Sequence, residues 1–278
     1  MHVIFINPQG NFDNQDSYWT MHPDFGGQLV YVKEIATAMA NLGHKIDIVT
    51  RFVDDKNFPE FNSEFDYYEG VENLRIIRIK AGPDNFLVKE LLWPYLNEWT
   101  DNIIEFYEKE GSFFDFMTGH YGDGGLACAM LKQKTSIPYS FTGHSLGAQK
   151  IEKLGVNTSN LDKLDEKYHF SERILAERTA MLNSDLIFVS TEQERDEQYS
   201  HPLYKDITNN FHTPLRFVVT PPGANTKVFE PMAGDNIIKG FAEVIENIIN
   251  RDIDKERINL PFIISASRLD PKKNHIGL

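Results

Sequence analysis

The sequence predicts an α/β protein built around a doubly wound parallel β-sheet. Short apolar runs, of the kind that form buried parallel strands, recur along most of the chain. Segments with helical apolar spacing alternate with them, which favours a parallel sheet with helices on both faces. The loop after the first apolar run is long and polar, and it lies where open α/β sheets bind ligands.

The apolar runs give the strands of this sheet in chain order. They span residues 1–7, 45–50, 74–79, 114–118, 138–142, 186–190 and 216–220. The predicted helices are a first one opened by Gly26 and Gly27, then residues 93–110, 126–132, 164–183, a segment from about Thr191, and residues 235–250. Between them we expect a glycine-rich loop at residues 119–125 and a polar loop at residues 148–160.

Near its carboxyl end the sequence begins a new pattern. An apolar strand is predicted at residues 258–267, followed by a basic turn at 268–274. An opening strand and part of a helix cannot bury a core of their own. We therefore expect an amino-terminal Rossmann-like domain at residues 1–255 and, at residues 256–278, the start of a second Rossmann-like domain that is mostly absent.

The adjacent glycines Gly26 and Gly27 form the first candidate site. They precede an apolar helical pattern that Gly43 ends, so they lie near the first turn of a helix. Unpaired N–H groups and the positive end of the helix dipole favour an anion there. A flexible turn is the alternative for a bare glycine pair. A classical NAD site is disfavoured because the G-x-G-x-x-G turn is missing.

Composition limits the function further. The 278 residues carry a net charge of −13, which argues against a nucleic-acid or anionic-membrane surface. A single cysteine, Cys128, suits a reducing cytosol, and we expect it in the core rather than as a nucleophile. No signal peptide or membrane-spanning apolar run is evident, so a cytoplasmic location is expected.

The segment Gly143-His-Ser-Leu-Gly147 fits the nucleophile elbow of α/β-hydrolases, with Ser145 as nucleophile. His169, His201 and His212 could each supply the base, but none has a distinguishing context. An elbow also runs directly into a helix, whereas a loop is predicted here. A hydrolase remains an alternative on spacing alone.

Six motifs together resemble those of the sucrose-phosphate synthases, and the resemblance covers nearly the whole chain. They are Gly26-Gly-Gln-Leu-Val-Tyr-Val-Lys-Glu34, His120-Tyr-Gly-Asp-Gly124, Thr142-Gly-His-Ser-Leu-Gly147, Val189-Ser-Thr-Glu-Gln-Glu194, Pro221-Pro-Gly-Ala-Asn225 and Ser267-Arg-Leu-Asp-Pro-Lys-Lys-Asn274. Several also occur in sucrose synthases and other retaining glycosyltransferases of family 4. The resemblance implies a GT-B fold, and it implies that Ser145 is no nucleophile.

The resemblance implies an enzyme that transfers glucose, with retention, from UDP-glucose or ADP-glucose to fructose 6-phosphate. The product would be sucrose 6-phosphate, and no metal or other cofactor is expected. The amino-terminal domain would hold the acceptor and the carboxyl-terminal domain the nucleotide sugar. The departing diphosphate would help deprotonate the acceptor hydroxyl, so the protein would act by positioning and charge stabilisation.

Residue roles follow by the same resemblance. Gly26, Gly27 and Gln28 would meet the substrates at the catalytic junction, and His144 would hold the transferred glucose. The acceptor phosphate would meet three cations, Lys89, Lys150 and Arg173, and the donor diphosphate would meet Arg268 and Lys273. Without the resemblance, each lysine or arginine would be interpreted as an ordinary surface cation. His144 would be interpreted as a histidine hydrogen-bonded to a backbone carbonyl.

Two other functions stay open. One is a sister transferase, such as a sucrose synthase, which uses unphosphorylated fructose or another acceptor. The other is a non-catalytic sugar-phosphate-binding protein. The family's carboxyl-terminal acidic motif has no counterpart in these 278 residues. We therefore expect this chain by itself to bind the acceptor weakly and to transfer nothing.

Overall fold

The computed structural model describes residues 1–19, 21–22, 25–208, 216–226, 235–258 and 260–261, with the backbone alone for 235–240. The chain divides into two compact units, Met1–Gly223 and Ala224–Leu278. Helix α8 (Asp235–Asp252) is the element described in the second unit. Most of the segment from 256 to 278 lies outside the described residues, so the predicted domain boundary at 255 stays a prediction.

The first unit contains a mostly parallel sheet, as the sequence predicts. Within the described residues its strands are β1 (His2–Ile6), β2 (Lys45–Arg51), β3 (Phe65–Asp66), β4 (Leu74–Ile79), β5 (Phe116–His120), β6 (Tyr139–Thr142), β7 (Leu186–Val189) and β8 (Phe217–Val219). Their order across the sheet is β3-β4-β2-β1-β5-β6-β7-β8. The short edge strand β3 runs antiparallel to β4, and this strand was not predicted from the sequence.

Helices cover both faces of the sheet. The described helices of the first unit are α1 (Gly27–Asn41), α2 (Leu96–Glu110), α3 (Tyr121–Thr135), α4 (Gly147–Lys153), α5 (Leu161–Tyr168), α6 (Phe170–Asn183) and the single turn α7 (Lys205–Thr208). Strand side chains alternate between the two faces. Val3 and Phe5 of β1 enter one apolar core with α1, and Ile4 and Ile6 enter the other core with α2 and α3. This division confirms the doubly wound prediction.

The predicted glycine-rich loop at 119–125 is wrong, because α3 begins at Tyr121, directly after β5. The glycines serve close packing instead of chain flexibility. A Cβ on Gly124 would clash with the backbone oxygen of Ile6, and one on Gly125 would lie 2.6 Å from Phe141 and from Ala180 Cβ. Glycine disfavours a helix locally, but here the contact with β1, β6 and α6 requires it.

Two further helix predictions need correction. The predicted helix at 164–183 is divided into α5 and α6 at His169, whose φ of 50° lies in the left-handed region. The predicted polar loop at 148–160 begins with α4, which starts at Gly147. The G-x-S-x-G segment therefore does run into a helix, and this argument against a hydrolase does not hold.

Two glycines of α3 offer a matched test of the packing. We expect Gly124→Ala to lower the free energy of unfolding by on the order of 2–3 kcal/mol, because its Cβ meets rigid backbone. Gly122→Ala should cost nothing or stabilise by up to about 1 kcal/mol, since its Cβ has only ordinary contacts, the nearest 3.5 Å away. Urea unfolding of both variants measures the difference. Equal stabilities would contradict the close approach of α3 to β1.

Candidate functional site

The candidate site lies at the carboxyl edge of the sheet, where the strand order reverses. β1 pairs with β2 on one side and with β5 on the other, so the chain leaves β1 and β5 in opposite directions. Such a reversal opens a crevice in which α/β proteins bind ligands. The segments after β1, β5 and β6 meet at this edge, and they carry the predicted glycines and His144.

The glycine pair opens α1, as predicted. Gly26 precedes the helix with extended backbone, and no side chain of the described residues caps the helix there. A Cβ at Gly26 or Gly27 would meet none of the described residues within 4 Å, so packing against them does not require glycine at either position. The adjacent Gln28 is anchored by donating from Nε2 to Asn7 Oδ1 at 2.8 Å. The structure thus leaves open space beside a helix terminus that favours anions.

Two histidines lie beside Tyr31, which follows Gly27 by one turn of α1. His120 lies at the end of β5, and its Nδ1 atom is 2.9 Å from Nε2 of His144. The other ring nitrogen of His120 lies 3.0 Å from Thr118 Oγ1. Tyr31 of α1 contacts the His144 ring edge-on, with centroids 5.0 Å apart. This chain of contacts fixes the ring of His144, and the sequence did not identify Thr118 or His120 as its supports.

Both imidazoles are neutral at pH 7. Burial lowers the pKa of His120 well below its ordinary value, and the neighbouring His144 lowers it further. Burial lowers the pKa of His144 to about 4. Because each ring has one N–H and one bare nitrogen, the hydrogen bond at one nitrogen decides what the other presents. His144 can therefore offer a ligand an uncharged donor or acceptor.

The loop that carries His144 is held by one buried carboxylate, Glu177 of α6. Its two oxygens each accept from Gly147 N at 3.0 Å, and Oε1 also accepts from Arg173 Nε at 2.9 Å. Tyr204 donates its hydroxyl to Glu177 and accepts from Ala148 N at 3.2 Å. These contacts fix the start of α4 against α6.

Arg173 adds to the contacts between α6 and the His144 loop, and it also contacts Tyr121. Its Nη2 donates to the backbone oxygen of Ser145 at 2.5 Å, and its guanidinium lies 4.6 Å from the ring centre of Tyr121. Burial lowers the pKa of Arg173, but the Glu177 carboxylate and Tyr121 raise it more, so the net direction is upward. The remaining nitrogen, Nη1, makes no hydrogen bond to the described residues and is the one left for a ligand.

The predicted phosphate-binding cations gather around one cleft. It is lined by Lys89, Glu90, Trp93, Tyr121, Asp123, Tyr168, His169 and Arg173, and we call it the cation cleft. Lys150 lies at its border, with Nζ 4.3 Å from the ring centre of Tyr168. The structure therefore brings Lys89, Lys150 and Arg173 together from a 3₁₀ turn, α4 and α6.

Asp123 is a cleft residue that sequence reasoning did not single out. It lies in the first turn of α3, its exposed fraction is 2%, and its Oδ2 atom is buried without a hydrogen-bond partner among the described residues. Burial raises its pKa to about 7, although Arg173 and Lys89 act in the opposite direction. An aspartate in a His-Tyr-Gly-Asp-Gly segment carries no sign of this burial.

Three residues of the cleft and of the neighbouring His144 loop have a strained backbone. Tyr121, His144 and His169 have φ values of 65°, 54° and 50°, in the left-handed region that residues with a Cβ rarely adopt. Each begins or precedes a helix of the cleft wall or the His144 loop. Residues held in such conformations are common at ligand-binding sites.

Ser145 does not have the geometry of a hydrolase nucleophile. In a nucleophile elbow the serine occupies the strained position, whereas here that position belongs to His144. No hydrogen bond joins Ser145 Oγ to a histidine among the described residues; His201 instead contacts Glu152 at 3.1 Å, and His212 lies outside them. Cys128 is fully buried, as expected for a core residue.

Two predicted donor residues, Arg268 and Lys273, lie outside the described residues. Among the residues that are described, no three His, Cys, Asp or Glu side chains are grouped to hold a metal ion. Catalysis without a metal stays a prediction. No helix of the described part is long and apolar enough to cross a membrane.

Comparison with known proteins gives the family and the fold. Residues 1–250 match the family described as the sucrose synthase first GT-B domain. A probable sucrose-phosphate synthase from Thermosipho melanesiensis is 50% identical over 274 residues, which are 99% of this chain and 59% of the relative. Sucrose synthase 1 from Hordeum vulgare is 29% identical over 315 residues, covering 99% of this chain and 38% of that protein. The chain thus spans about three fifths or less of these relatives.

A solved structure agrees with the fold. The sucrose-phosphate synthase from Thermosynechococcus elongatus superposes with a TM-score of 0.65 at 22% identity, over 87% of this chain and 52% of that one. At this identity the likeness concerns the fold alone. It confirms the predicted GT-B amino-terminal architecture.

The histidine pair makes a prediction about pH. In the unfolded chain the pKa of a histidine is about 6.5, whereas in the folded chain the pKa of His144 is about 4. The unfolded state therefore binds more protons between these values, so stability falls as the pH falls through this window. For His144 alone we expect a loss of about 2 kcal/mol between pH 7 and pH 5.

Ring ¹⁵N shifts and urea unfolding at both pH values measure this effect. His144→Asn is the matched variant, because asparagine tolerates a positive φ and does not titrate. It should lose less stability at pH 5 than the parent chain does. A His144 ring that titrates near pH 6.5 would contradict the buried neutral pair.

Proposed function

This chain belongs to the family of the sucrose synthase first GT-B domain, and from that premise we propose that it is the acceptor-binding part of a retaining glucosyltransferase. The proposed reaction makes sucrose 6-phosphate from UDP-glucose, or ADP-glucose, and fructose 6-phosphate. The 50% identical probable sucrose-phosphate synthase supports this choice within the family. A cytoplasmic location is part of the proposal.

The observation that carries the proposal is the cation cleft. Lys89 and Arg173 line it and Lys150 borders it, in a chain whose net charge is −13. Three cations gathered locally on an acidic protein favour a dianionic ligand. A phosphorylated hexose fits this charge, since its phosphate would meet the cations while its sugar ring reaches toward the α1 terminus.

In the proposed mechanism the protein mainly positions groups and stabilises charge. Gly26 and Gly27 would let the substrates approach backbone N–H groups, because among the described residues none would lie within 4 Å of a Cβ at either position. Gln28 would bind the acceptor sugar from its anchored position on Asn7. Neutral His144 would hold the transferred glucose without adding a competing charge.

The donor half of the mechanism rests on the family resemblance. Arg268 and Lys273 would neutralise the departing diphosphate, which would accept the proton of the acceptor hydroxyl on the same face of the sugar. No metal is proposed for this step.

A sister reaction is the second candidate. The family description and the similarity to a sucrose synthase favour unphosphorylated fructose as the acceptor. In that case Arg173 would serve only its contacts to Glu177 and Ser145. The two candidates therefore differ in whether Lys89 and Lys150 contribute to acceptor binding.

Calorimetric titration with fructose 6-phosphate and with fructose separates the candidates. We expect fructose 6-phosphate to bind and Lys89→Ala or Lys150→Ala to weaken it by about 1.5–3 kcal/mol, the cost of one charged hydrogen bond. Lys153→Ala is the matched control, because Lys153 is an exposed residue of the same helix α4.

Arg173→Ala is unsuited to this test. It would leave the buried Glu177 carboxylate without its ion-pair partner, a change that destabilises by about 3–5 kcal/mol. Equal binding of fructose and fructose 6-phosphate, unchanged by either lysine variant, would contradict the phosphate assignment and favour the sister reaction.

A further inference from the structure

Asp123 is a carboxyl group placed among the cations of a proposed anion site. Its side chain lines the cation cleft together with Lys89 and Arg173. Oδ2 is out of contact with solvent and has no hydrogen-bond partner among the described residues. Burying a polar oxygen without a partner costs free energy, so such an atom in a ligand cleft indicates a partner supplied by the ligand.

The charges around Asp123 come from two segments. The 3₁₀ turn Lys89–Leu91 supplies Lys89 and Glu90, and α6 supplies Arg173 and Glu177. Tyr121 of its own helix, Tyr168 of α5 and His169 complete the titratable groups of the cleft. Glu177 is already engaged by Arg173 and Gly147, whereas Oδ2 of Asp123 is buried without a hydrogen-bond partner among the described residues.

We propose that Asp123 binds the phosphoryl group of the acceptor as a neutral carboxylic acid, which donates its O–H to a phosphate oxygen. This inference rests on the proposed function, because it takes the cation cleft as the acceptor phosphate site. It adds that binding and protonation are coupled at one residue.

The coupling follows from electrostatics. A carboxylate in contact with a phosphate dianion is repelled, while a neutral acid forms a short charge-assisted hydrogen bond. When Asp123 is ionised before binding, a hydronium ion or a buffer acid gives up one proton, which forms the new O–H bond on Asp123, and no bond of the phosphate ester changes. A carboxyl oxygen and a phosphate oxygen then share one proton, as the oxygens of two adjacent carboxyl groups do in other proteins.

In the ligand-free chain Asp123 is expected to be close to half protonated at pH 7. Burial raises the pKa of Asp123 to about 7 in the ligand-free chain, even though Arg173 and Lys89 act to lower it. A bound dianion adds a further negative charge and raises it. Above pH 7 the affinity should therefore fall about tenfold for each pH unit, the slope for uptake of one proton.

Sulfate and fructose 6-phosphate are the two probes for calorimetry from pH 6.5 to pH 8.5. Sulfate has no proton to lose in this range, so its pH profile reports the protein alone. The phosphate of the sugar ester, with its second pKa near about 6, is already a dianion above pH 7. Titration in two buffers of different ionisation enthalpy gives the number of protons taken up.

Asp123→Asn is the test variant, since an amide keeps a hydrogen-bond donor but cannot titrate. It should bind both anions with little change in affinity from pH 7 to pH 8.5 and with no proton uptake. The parent chain should approach one proton at pH 8. Glu90→Gln is the matched control: it removes a negative charge from the same cleft and should keep the tenfold slope.

Other outcomes overturn the inference in distinguishable ways. If the parent chain binds fructose 6-phosphate with a flat pH profile, or Asp123→Asn keeps the parent slope, the inference is wrong and the proposed function stands. If Asp123→Asn binds fructose more weakly by the same factor as fructose 6-phosphate, the carboxylate binds a sugar hydroxyl instead. If neither anion binds the parent chain, the acceptor site and this inference both fail.

Discussion

The site depends on one buried carboxylate. Both oxygens of Glu177 accept a bifurcated hydrogen bond from Gly147 N–H, and the carboxylate pairs with Arg173, which in turn donates to the Ser145 oxygen. Because both partners are buried, neither can be lost without leaving a charge uncompensated. This constraint fixes the His144 loop to α6, and it places a guanidinium in the cleft wall at the same time. The atoms that stabilise this loop therefore also belong to the proposed ligand site.

The strand order of the sheet determines which segments meet at the candidate site. The reversal between β1 and β5 brings the α1 terminus, His120 and the start of α3 to one edge. Tyr31 then connects α1 to His144 across that edge. An uncharged histidine pair and an open helix terminus lie next to a cleft rich in cations, so charged and uncharged contacts are separated in space. A phosphorylated sugar has the same division between its two ends.

The sequence predicted the parts that local pattern determines. Apolar runs gave the parallel strands, and the paired glycines gave the start of α1. The glycines of α3 were interpreted as a loop because glycine disfavours helices locally, while the contact of Gly124 with β1 is a tertiary requirement. His169 divides a helix through a positive φ that histidine does not signal.

The candidate site was predictable to the same extent. The resemblance named Lys89, Lys150 and Arg173, and the structure gathers them, but the engagement of Arg173 by Glu177 follows only from packing. Asp123 and the support of His144 by His120 and Thr118 were missed, because burial and ring contacts arise when distant segments meet. No local pattern distinguishes a buried aspartate from a solvated one.

A crystal structure of this chain with fructose 6-phosphate would test the central claim most directly. That claim is that the acceptor lies between the α1 terminus and the cation cleft. We predict phosphate oxygens within hydrogen-bonding distance of Lys89 and Lys150, with the sugar ring beside Gly26 and Gly27. A phosphate bound elsewhere on the first unit, with the cleft unchanged, would contradict it.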